Sequence, residues 1–234
     1  VLLIDGDSSC NLSYSFNRKS SKSIFNIFKN GEFEILNIDK NLDFINGSSQ
    51  LTDDSLELRK RQNNCLIIFM GIADNIEMLS NYDYIIIDTH NDSSLVTSNF
   101  IAAADLVLGI SEPSRNGYRA WLELKNTIAS LKNEVVDIMT RKSYIQAKPY
   151  LIGNKIEHIG STSKEFLETI VEDDHFLGYL PKKELLAKSL LLDKDIFEQQ
   201  ENMATYEKAR NMQFFNNVEI LFDKILETIQ YNAI

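Results

Sequence analysis

The chain has 234 residues, of which 44% are hydrophobic, so it is long and apolar enough to bury a substantial core. Its net charge of −10 argues against a broadly basic nucleic-acid surface. It has no apolar run of about 18 residues, which a membrane-spanning helix would need, and Cys10 and Cys65 match no metal-binding spacing, so a reduced, cytoplasmic setting is expected.

Apolar runs typical of strands alternate with helix-type patterns along the whole chain. The alternation predicts an α/β fold, with a single doubly wound, mainly parallel sheet flanked by helices. The last predicted helix is expected to break near 211–217. The predicted strands are 1–5, 35–38, 42–45, 82–87, 106–110, 149–153 and 176–180, and the predicted helices are 12–16, 23–29, 51–80, 95–104, 117–138, 163–171, 182–191 and 202–230.

Two of the predicted strands end in acids. Asp5 closes the first strand and Asp7 follows it, while Asp88 comes directly after the strand 82–87. The three consecutive isoleucines of 85–87 predict a central strand that is buried on both faces. Ligands of open α/β sheets bind outside the carboxyl ends of the strands, where acids can hold Mg²⁺ directly or through water. Each acid has a plain alternative as the cap of a turn or of the following helix.

These stretches resemble the ParA/Soj/MinD family of deviant-Walker P-loop ATPases, and most closely its plasmid and chromosome partition branch. VLLIDGDSSCN stands where that family has a strand followed by D-x-D-P-Q-x-N, and YDYIIIDTHNDSSL stands where it has YDYIIIDTPPSL. The segments FIAAADLVLGISEPSRNGYRAWLEL, LIGNKI and FLGYLPKKELLAKSL match later family segments in the same order. The sequence departs from the family at Ser8-Ser9, which replaces Pro-Gln, and at His90-Asn91, which replaces Pro-Pro.

In this family the strand that opens the present chain follows a phosphate-binding loop, K-G-G-x-G-K-S/T, which holds phosphates at a helix N-terminus. The 234 residues contain no such motif. Because the first strand starts at Val1, we expect the family's first strand, phosphate loop and first helix to precede it. Residues 1–234 are then one ParA-like ATPase domain of the P-loop NTPase type that is incomplete at its N-terminus.

The resemblance also implies roles for individual residues, each with a structural alternative as a turn, strand-end or helix-start residue. The three histidines, His90, His158 and His175, have no ligand spacing and are given no role. The implied site residues are Asp7 for orienting the attacking water, Asp5 and Asp88 for Mg²⁺, Asn11 beside the nucleotide or the dimer partner, and Asn154 and Pro181 beside the adenine.

The function that the resemblance implies is a homodimer that sandwiches Mg-ATP, hydrolyses it slowly and binds DNA nonspecifically, on the nucleoid, in its ATP-bound state. A centromere-binding, ParB-like partner would stimulate hydrolysis, so that plasmid or chromosome DNA is segregated. The DNA contacts would be made to phosphates by basic side chains. The alternative is that these side chains lie on a solvated helix face and contact no DNA. The candidate residues are Lys182, Lys183, Lys188, Lys208 and Arg210.

Two other functions fit the same fold. One is a non-enzymatic ParA-fold dimer or scaffold. The other is a MinD-like ATPase switch on a membrane, which would need a basic amphipathic helix at the C-terminus. The tail LFDKILETIQYNAI has one Lys against two acids, so no membrane association is expected.

Overall fold

The computed structural model describes residues 1–16, 18, 20–157, 159–192 and 194–232, so that the sequence prediction for His158 lies outside it. The chain divides into two compact units. The first comprises Val1–Ala104 and Ala129–Ala147, and the second comprises Asp105–Ile128 and Lys148–Ile234. None of the helices in the described ranges has the length and apolarity that crossing a bilayer requires.

The first unit contains a four-stranded sheet with the order β2-β3-β1-β4. Strands β3 and β4 lie parallel to β1 on its two sides, and β2 forms an antiparallel hairpin with β3. The elements of this unit are β1 (Leu2–Gly6), α1 (Asn11–Phe16), α2 (Ile24–Asn30), β2 (Leu36–Asp39), β3 (Leu42–Ile45), a 3-10 turn (Leu58–Lys60), α3 (Ile67–Asp74), α4 (Ile76–Leu79), β4 (Ile85–Thr89) and α5 (Leu95–Ala103).

The second unit contains a three-stranded, fully parallel sheet with the order β5-β6-β7. Its elements are β5 (Leu106–Ser111), α6 (Arg115–Glu134, whose last residues belong to the first unit), β6 (Lys148–Ile156), α7 (Ser161–Val171), β7 (Phe176–Pro181), α8 (Glu184–Leu192), α9 (Ile196–Glu201) and α10 (Thr205–Asn232). The predicted α/β fold with mainly parallel strands is confirmed. Its strands are hydrogen-bonded in two sheets, of four and three strands, and α10 runs without the predicted break.

The core of the first unit lies where apolar side chains of the sheet meet α2 and α5. Leu2 and Ile4 of β1 are buried against Ile24 and Phe28 of α2 and Phe100 of α5. Each of these side chains is at most 6% exposed. Burial of such a side chain stabilises the fold by about 1.5–3 kcal/mol, so this cluster fixes β1 at the centre of its sheet.

The prediction that the triple-isoleucine strand is central is wrong for this sheet. Among the strands that the structure describes, β4 lies at the edge of this sheet and has β1 as its one neighbour, and Ile86 is 53% exposed. The buried central strand is β1, which is flanked on both sides. A continuous apolar run indicates that both faces of a strand are apolar. It does not determine whether the strand is paired with one neighbouring strand or with two.

The predicted helix at 51–80 is also wrong over much of its length. The segment holds only the 3-10 turn, α3 and α4. Glu57 has a left-handed backbone with φ of 51°, which interrupts a right-handed helix. The Thr52 hydroxyl accepts a hydrogen bond from the backbone N–H of Ser55 (3.2 Å). Such side-chain bonds to the local backbone compete with helix formation.

A buried carboxylate, Asp173, anchors the second unit. Its Oδ2 accepts hydrogen bonds from Trp121 Nε1 and Lys125 Nζ (both 2.8 Å), and its Oδ1 accepts one from the backbone N–H of His175 (3.0 Å). The side chain is 7% exposed. Burial alone would raise the pKa of Asp173, but the bonds from Lys125, Trp121 and His175 outweigh it and hold this pKa well below its usual range.

We therefore expect the second unit to lose stability in acid through this group. The ordinary pKa of an unfolded Asp is 3.8. The stabilisation is complete above that pH and is lost as the pH falls from there towards the lower pKa of the folded state. In acid the free energy of unfolding should fall by about 2 kcal/mol less in the Asp173→Asn variant than in the wild type. Denaturant unfolding followed by the fluorescence of Trp121, the only tryptophan, measures it between pH 5 and pH 2. An equal loss in wild type and variant would contradict the assignment.

Candidate functional site

The acids that end β1 and β4 are brought together by the register of the two strands. Asp5 is paired with Asp88, and Gly6 is paired with Thr89. Neighbouring strands lie about 4.8 Å apart, so the two carboxyl groups leave the same edge of the sheet side by side. The predicted convergence of these acids at the carboxyl ends of two parallel strands is confirmed.

Asp5 is fully buried and organises the loop that follows β1. Its Oδ2 accepts hydrogen bonds from the backbone N–H (2.8 Å) and the hydroxyl (2.6 Å) of Ser13 in α1, and its Oδ1 accepts one from the backbone N–H of Asp7 (3.2 Å). A carboxylate has about four acceptor positions, so about one remains on Oδ1. The capping role that was the alternative for Asp5 is thus present, and a ligand role is restricted to that last position.

Gly47 completes the enclosure of Asp5. A Cβ at this position would lie 2.7 Å from Cγ of Asp5 and 2.9 Å from its Oδ2. The backbone N–H of Gly47 donates to the Ser13 hydroxyl (2.8 Å), which itself donates to Asp5. Only a residue without a side chain allows the loop after β3 to approach the carboxylate this closely.

Asp7 lies at the mouth of the site and is held from two sides. Its Oδ1 accepts a hydrogen bond from the backbone N–H of Ser9 (2.8 Å), and its Oδ2 lies 3.2 Å from Nδ1 of His90. Burial would raise the pKa of Asp7, but the hydrogen bonds from Ser9 and His90 outweigh it, so that this pKa is lowered. The side chain is 20% exposed. At neutral pH it is therefore an ionised carboxylate with access to water.

Asp88 differs from Asp7 in its electrostatics. Partial desolvation and the negative charges of Asp5 and Asp7 raise the pKa of Asp88. The residue is exposed, so water screens part of this repulsion. A divalent cation at the edge would relieve the repulsion among the three acids. Within the described ranges no group of three or more His, Cys, Asp and Glu side chains is arranged to ligate a metal directly, so a cation here would be held largely through water.

Helix α5 follows β4 in the chain, and the backbone N–H groups at its N-terminus already donate to the protein's own side chains. Asp53 accepts the backbone N–H groups of Leu95 and Val96 (both 3.1 Å), and Ser94 accepts that of Thr97 (3.1 Å). These are the first donors of the helix, which would otherwise be free for an anion. Asp53 thus stabilises α5, and the structure offers no free donors there for a phosphate.

The other predicted site residues are distributed over both units. Asn11, in the first unit, is the exposed first residue of α1. Asn154 lies inside β6, where its Oδ1 accepts the backbone N–H of Lys155 (2.9 Å). Pro181 is buried at the end of β7, and α8 begins only at Glu184, so the helix-start alternative for Pro181 is wrong. The nucleotide roles of these three residues stay predictions.

Four of the five basic residues predicted for DNA already have partners within the second unit. Lys182 pairs with Glu157 (2.5 Å) and Lys188 pairs with Glu184 (2.8 Å). Lys183 lies over the ring of Phe214, and Lys208 donates to the carbonyl of Glu201 (3.0 Å). The fifth, Arg210, is exposed on α10. The acidic partners reduce the positive charge that this region could present to a phosphate backbone.

The carboxylates of the first unit lie beyond the ends of two parallel strands, where open α/β sheets bind their ligands, so the protein belongs to the α/β class. Residues 1–141, more than half of the chain, match the model of a family described as an AAA domain. The chain belongs to this family. A comparison with curated proteins finds no match.

Solved structures share the fold. A plasmid partition protein from Borrelia burgdorferi is 19% identical with a TM-score of 0.68, over 97% of this chain and 85% of that one. An ATP complex of a McdA variant from Cyanothece is 14% identical with a TM-score of 0.74, over 99% and 84%. Cobyrinic acid a,c-diamide synthase from Mycobacterium smegmatis, with an ATP analogue and magnesium, is 13% identical with a TM-score of 0.65, over 83% and 84%. The resemblance to the ParA/Soj/MinD ATPases is confirmed at the level of family and fold.

Sequence reasoning missed His90, Ser13 and Gly47. His90 was given no role because the three histidines share no spacing. A signal for it does exist, because the chain reads Asp-Gly-Asp at 5–7, across the end of β1, and Asp-Thr-His at 88–90, across the end of β4. The parallel register pairs Asp5 with Asp88 and Gly6 with Thr89, so that Asp7 and His90 are each the next residue, and their side chains are in contact.

Proposed function

We propose that the protein is a ParA-like partition ATPase. The protein would be cytoplasmic, and its Mg-ATP-bound homodimer would bind DNA of the nucleoid nonspecifically. A centromere-binding, ParB-like partner would stimulate its slow ATP hydrolysis. The cycle would segregate plasmid or chromosome DNA. The observation that carries the proposal is the row of acids at one sheet edge, with Asp5 and Asp88 in register and Asp7 one step beyond. The ATP and magnesium in structures of the same fold support the cofactors.

The site fits a magnesium ion that is bound mainly through water. Asp88 is exposed and carries a raised pKa caused partly by its acidic neighbours, which a cation would lower again. Asp5 keeps about one acceptor position on Oδ1 and holds the loop that carries Asp7. When bound, Mg²⁺ would neutralise charge on the phosphates. Asp88 and Asp5 are the residues of this chain that would hold its water ligands.

Asp7 is the residue proposed to orient the attacking water. Its lowered pKa keeps it ionised at neutral pH, and each of its oxygens has an acceptor position left after the bonds to Ser9 and His90. An ionised carboxylate of fixed orientation can accept a hydrogen bond from a water and direct its lone pair. Phosphoryl transfer depends mainly on such positioning and on charge stabilisation, so one well-placed acid is sufficient for this role.

The remaining parts of the mechanism lie beyond these three acids. Asn11 is proposed to lie beside the nucleotide or the dimer partner, and Asn154 and Pro181 beside the adenine. Hydrolysis also requires a phosphate-binding loop, and residues 1–234 do not contain the family's motif for it. DNA contacts by the exposed Arg210 and the neighbouring lysines would be to phosphates and would weaken with salt.

The proposal is tested by measuring phosphate release by the full-length protein with and without Mg²⁺, together with co-sedimentation on nonspecific DNA in the presence of ATP, ADP or AMPPNP. We expect slow, Mg²⁺-dependent release and DNA binding that requires the triphosphate. A full-length protein that neither binds nor hydrolyses Mg-ATP would contradict the proposal and favour the non-enzymatic scaffold.

A further inference from the structure

His90 contacts the acid on which the proposed hydrolysis depends. We propose that His90 is a positioning residue, which fixes the Asp7 carboxylate in the orientation needed to direct a water. The inference rests on the proposed function and assigns a role to a side chain that the sequence motifs leave without one. In the resembling family a proline stands here, and proline has no donor group, so the contact is a feature of this chain.

The contact follows from the geometry of two parallel strands. Asp5 pairs with Asp88 and Gly6 with Thr89 at the last steps of the sheet. Asp7 and His90 are each the next residue, and side chains two positions apart point to the same face of a strand. The imidazole therefore meets the carboxylate across the strand pair, with Nδ1 3.2 Å from Oδ2.

The two oxygens of Asp7 have different partners, and only one of these is local. Oδ1 accepts the backbone N–H of Ser9, two residues away, while Oδ2 is held by His90, 83 residues away. The torsion about the Cβ–Cγ bond of an aspartate is broad, so a single hydrogen bond leaves the carboxylate plane free to turn. With a second donor on the other oxygen, the plane is fixed relative to both strands.

His90 is held in place through its backbone and not through burial of its ring. It directly follows Thr89, which pairs with Gly6 at the last step of the sheet. The imidazole itself is 60% exposed. Removing the ring therefore leaves no cavity in the core, and variants at this position should fold normally.

The test compares His90→Ala and His90→Asn with the wild-type full-length protein in steady-state ATP hydrolysis. We expect His90→Ala to lower kcat about three- to tenfold, the size of one lost hydrogen bond to a charged group near water, with KM for ATP changed less than about twofold. The Nδ2 of Asn can occupy the position of Nδ1, so His90→Asn should retain kcat within about twofold. His175→Ala, which breaks a His–Asp contact of 3.0 Å in the second unit, is the matched control and should leave kcat unchanged.

A second measurement needs no nucleotide. A double-mutant cycle of Asp7→Asn and His90→Ala on the unfolding equilibrium should show a coupling of about two- to fivefold in the equilibrium constant. No coupling, a kcat that His90→Ala leaves unchanged, or an equal loss in His90→Asn and His90→Ala would each overturn the inference. If the wild-type protein does not hydrolyse ATP, the proposed function is overturned, and so is the catalytic part of this inference. The double-mutant cycle would still report whether Asp7 and His90 interact.

Discussion

Replacing Asp7 with Asn should lower ATP hydrolysis by the full-length protein about 100-fold or more, while its affinity for Mg-ATP changes little. Amide and carboxylate have the same shape, and the Asn oxygen can still accept the backbone N–H of Ser9. The variant loses the negative charge that accepts a hydrogen bond from water, and removal of such a positioned group typically costs 10²- to 10⁴-fold. Single-turnover hydrolysis and titration with a non-hydrolysable ATP analogue measure the two effects separately.

The matched control is Asp83→Asn, which removes an exposed acid on the amino-terminal side of β4. It changes the net charge by the same amount as Asp7→Asn but lies at the opposite end of the strand. We expect the control to hydrolyse ATP at the wild-type rate. Equal rates for Asp7→Asn and wild type would exclude Asp7 as the water-orienting group.

Replacing Asn99 with Leu should destabilise the first unit by about 3 kcal/mol. Asn99 is fully buried in α5. Its Oδ1 accepts the backbone N–H groups of Ile67 (2.7 Å) and Ile68 (3.3 Å), and its Nδ2 donates to the carbonyls of Asn64 (2.6 Å) and Leu95 (2.7 Å). A leucine fills a similar volume but leaves the first donors of α3 buried without an acceptor, which is among the costliest changes in a core.

Ser98→Ala is the control for Asn99→Leu. Its hydroxyl is buried beside Asn99 but makes a single bond, to the carbonyl of Ser94 (2.9 Å), which the helix can lose at a cost of about 1 kcal/mol or less. Urea unfolding monitored by circular dichroism gives both free energies of unfolding. Similar costs for the two substitutions would show that the Asn99 network contributes no more than an ordinary helix side chain.

The acid edge could be predicted from the sequence because it depends on local patterns. Apolar runs that end in Asp, in a chain where strands and helices alternate, place Asp5 and Asp88 at the same edge of a parallel sheet. The structure adds their exact register. The family resemblance supplied the expected cofactors, ATP and Mg²⁺, whereas the solved structures share the fold alone with this chain.

Other features depend on contacts between residues far apart in the chain, and these the sequence did not reveal. The charged first half and apolar second half of the 51–80 segment predict mostly helix. In the structure, α3 begins where Asn99 caps it, and Asp53 caps α5 instead of joining a helix. The position of β4 at a sheet edge likewise depends on which strands pair. His90 was missed because its partner, Asp7, is 83 residues away.

The central claim is that the nucleotide's cation lies at the edge formed by Asp5, Asp7 and Asp88. The most direct measurement is paramagnetic broadening of the amide NMR signals of the full-length protein when Mn²⁺ replaces Mg²⁺ in the presence of AMPPNP. We predict broadening that is strongest at residues 5–13 and 88–91 and that requires the nucleotide. Broadening centred elsewhere, for instance on the acids Asp173 and Asp174 of the second unit, or no nucleotide-dependent broadening, would contradict the account.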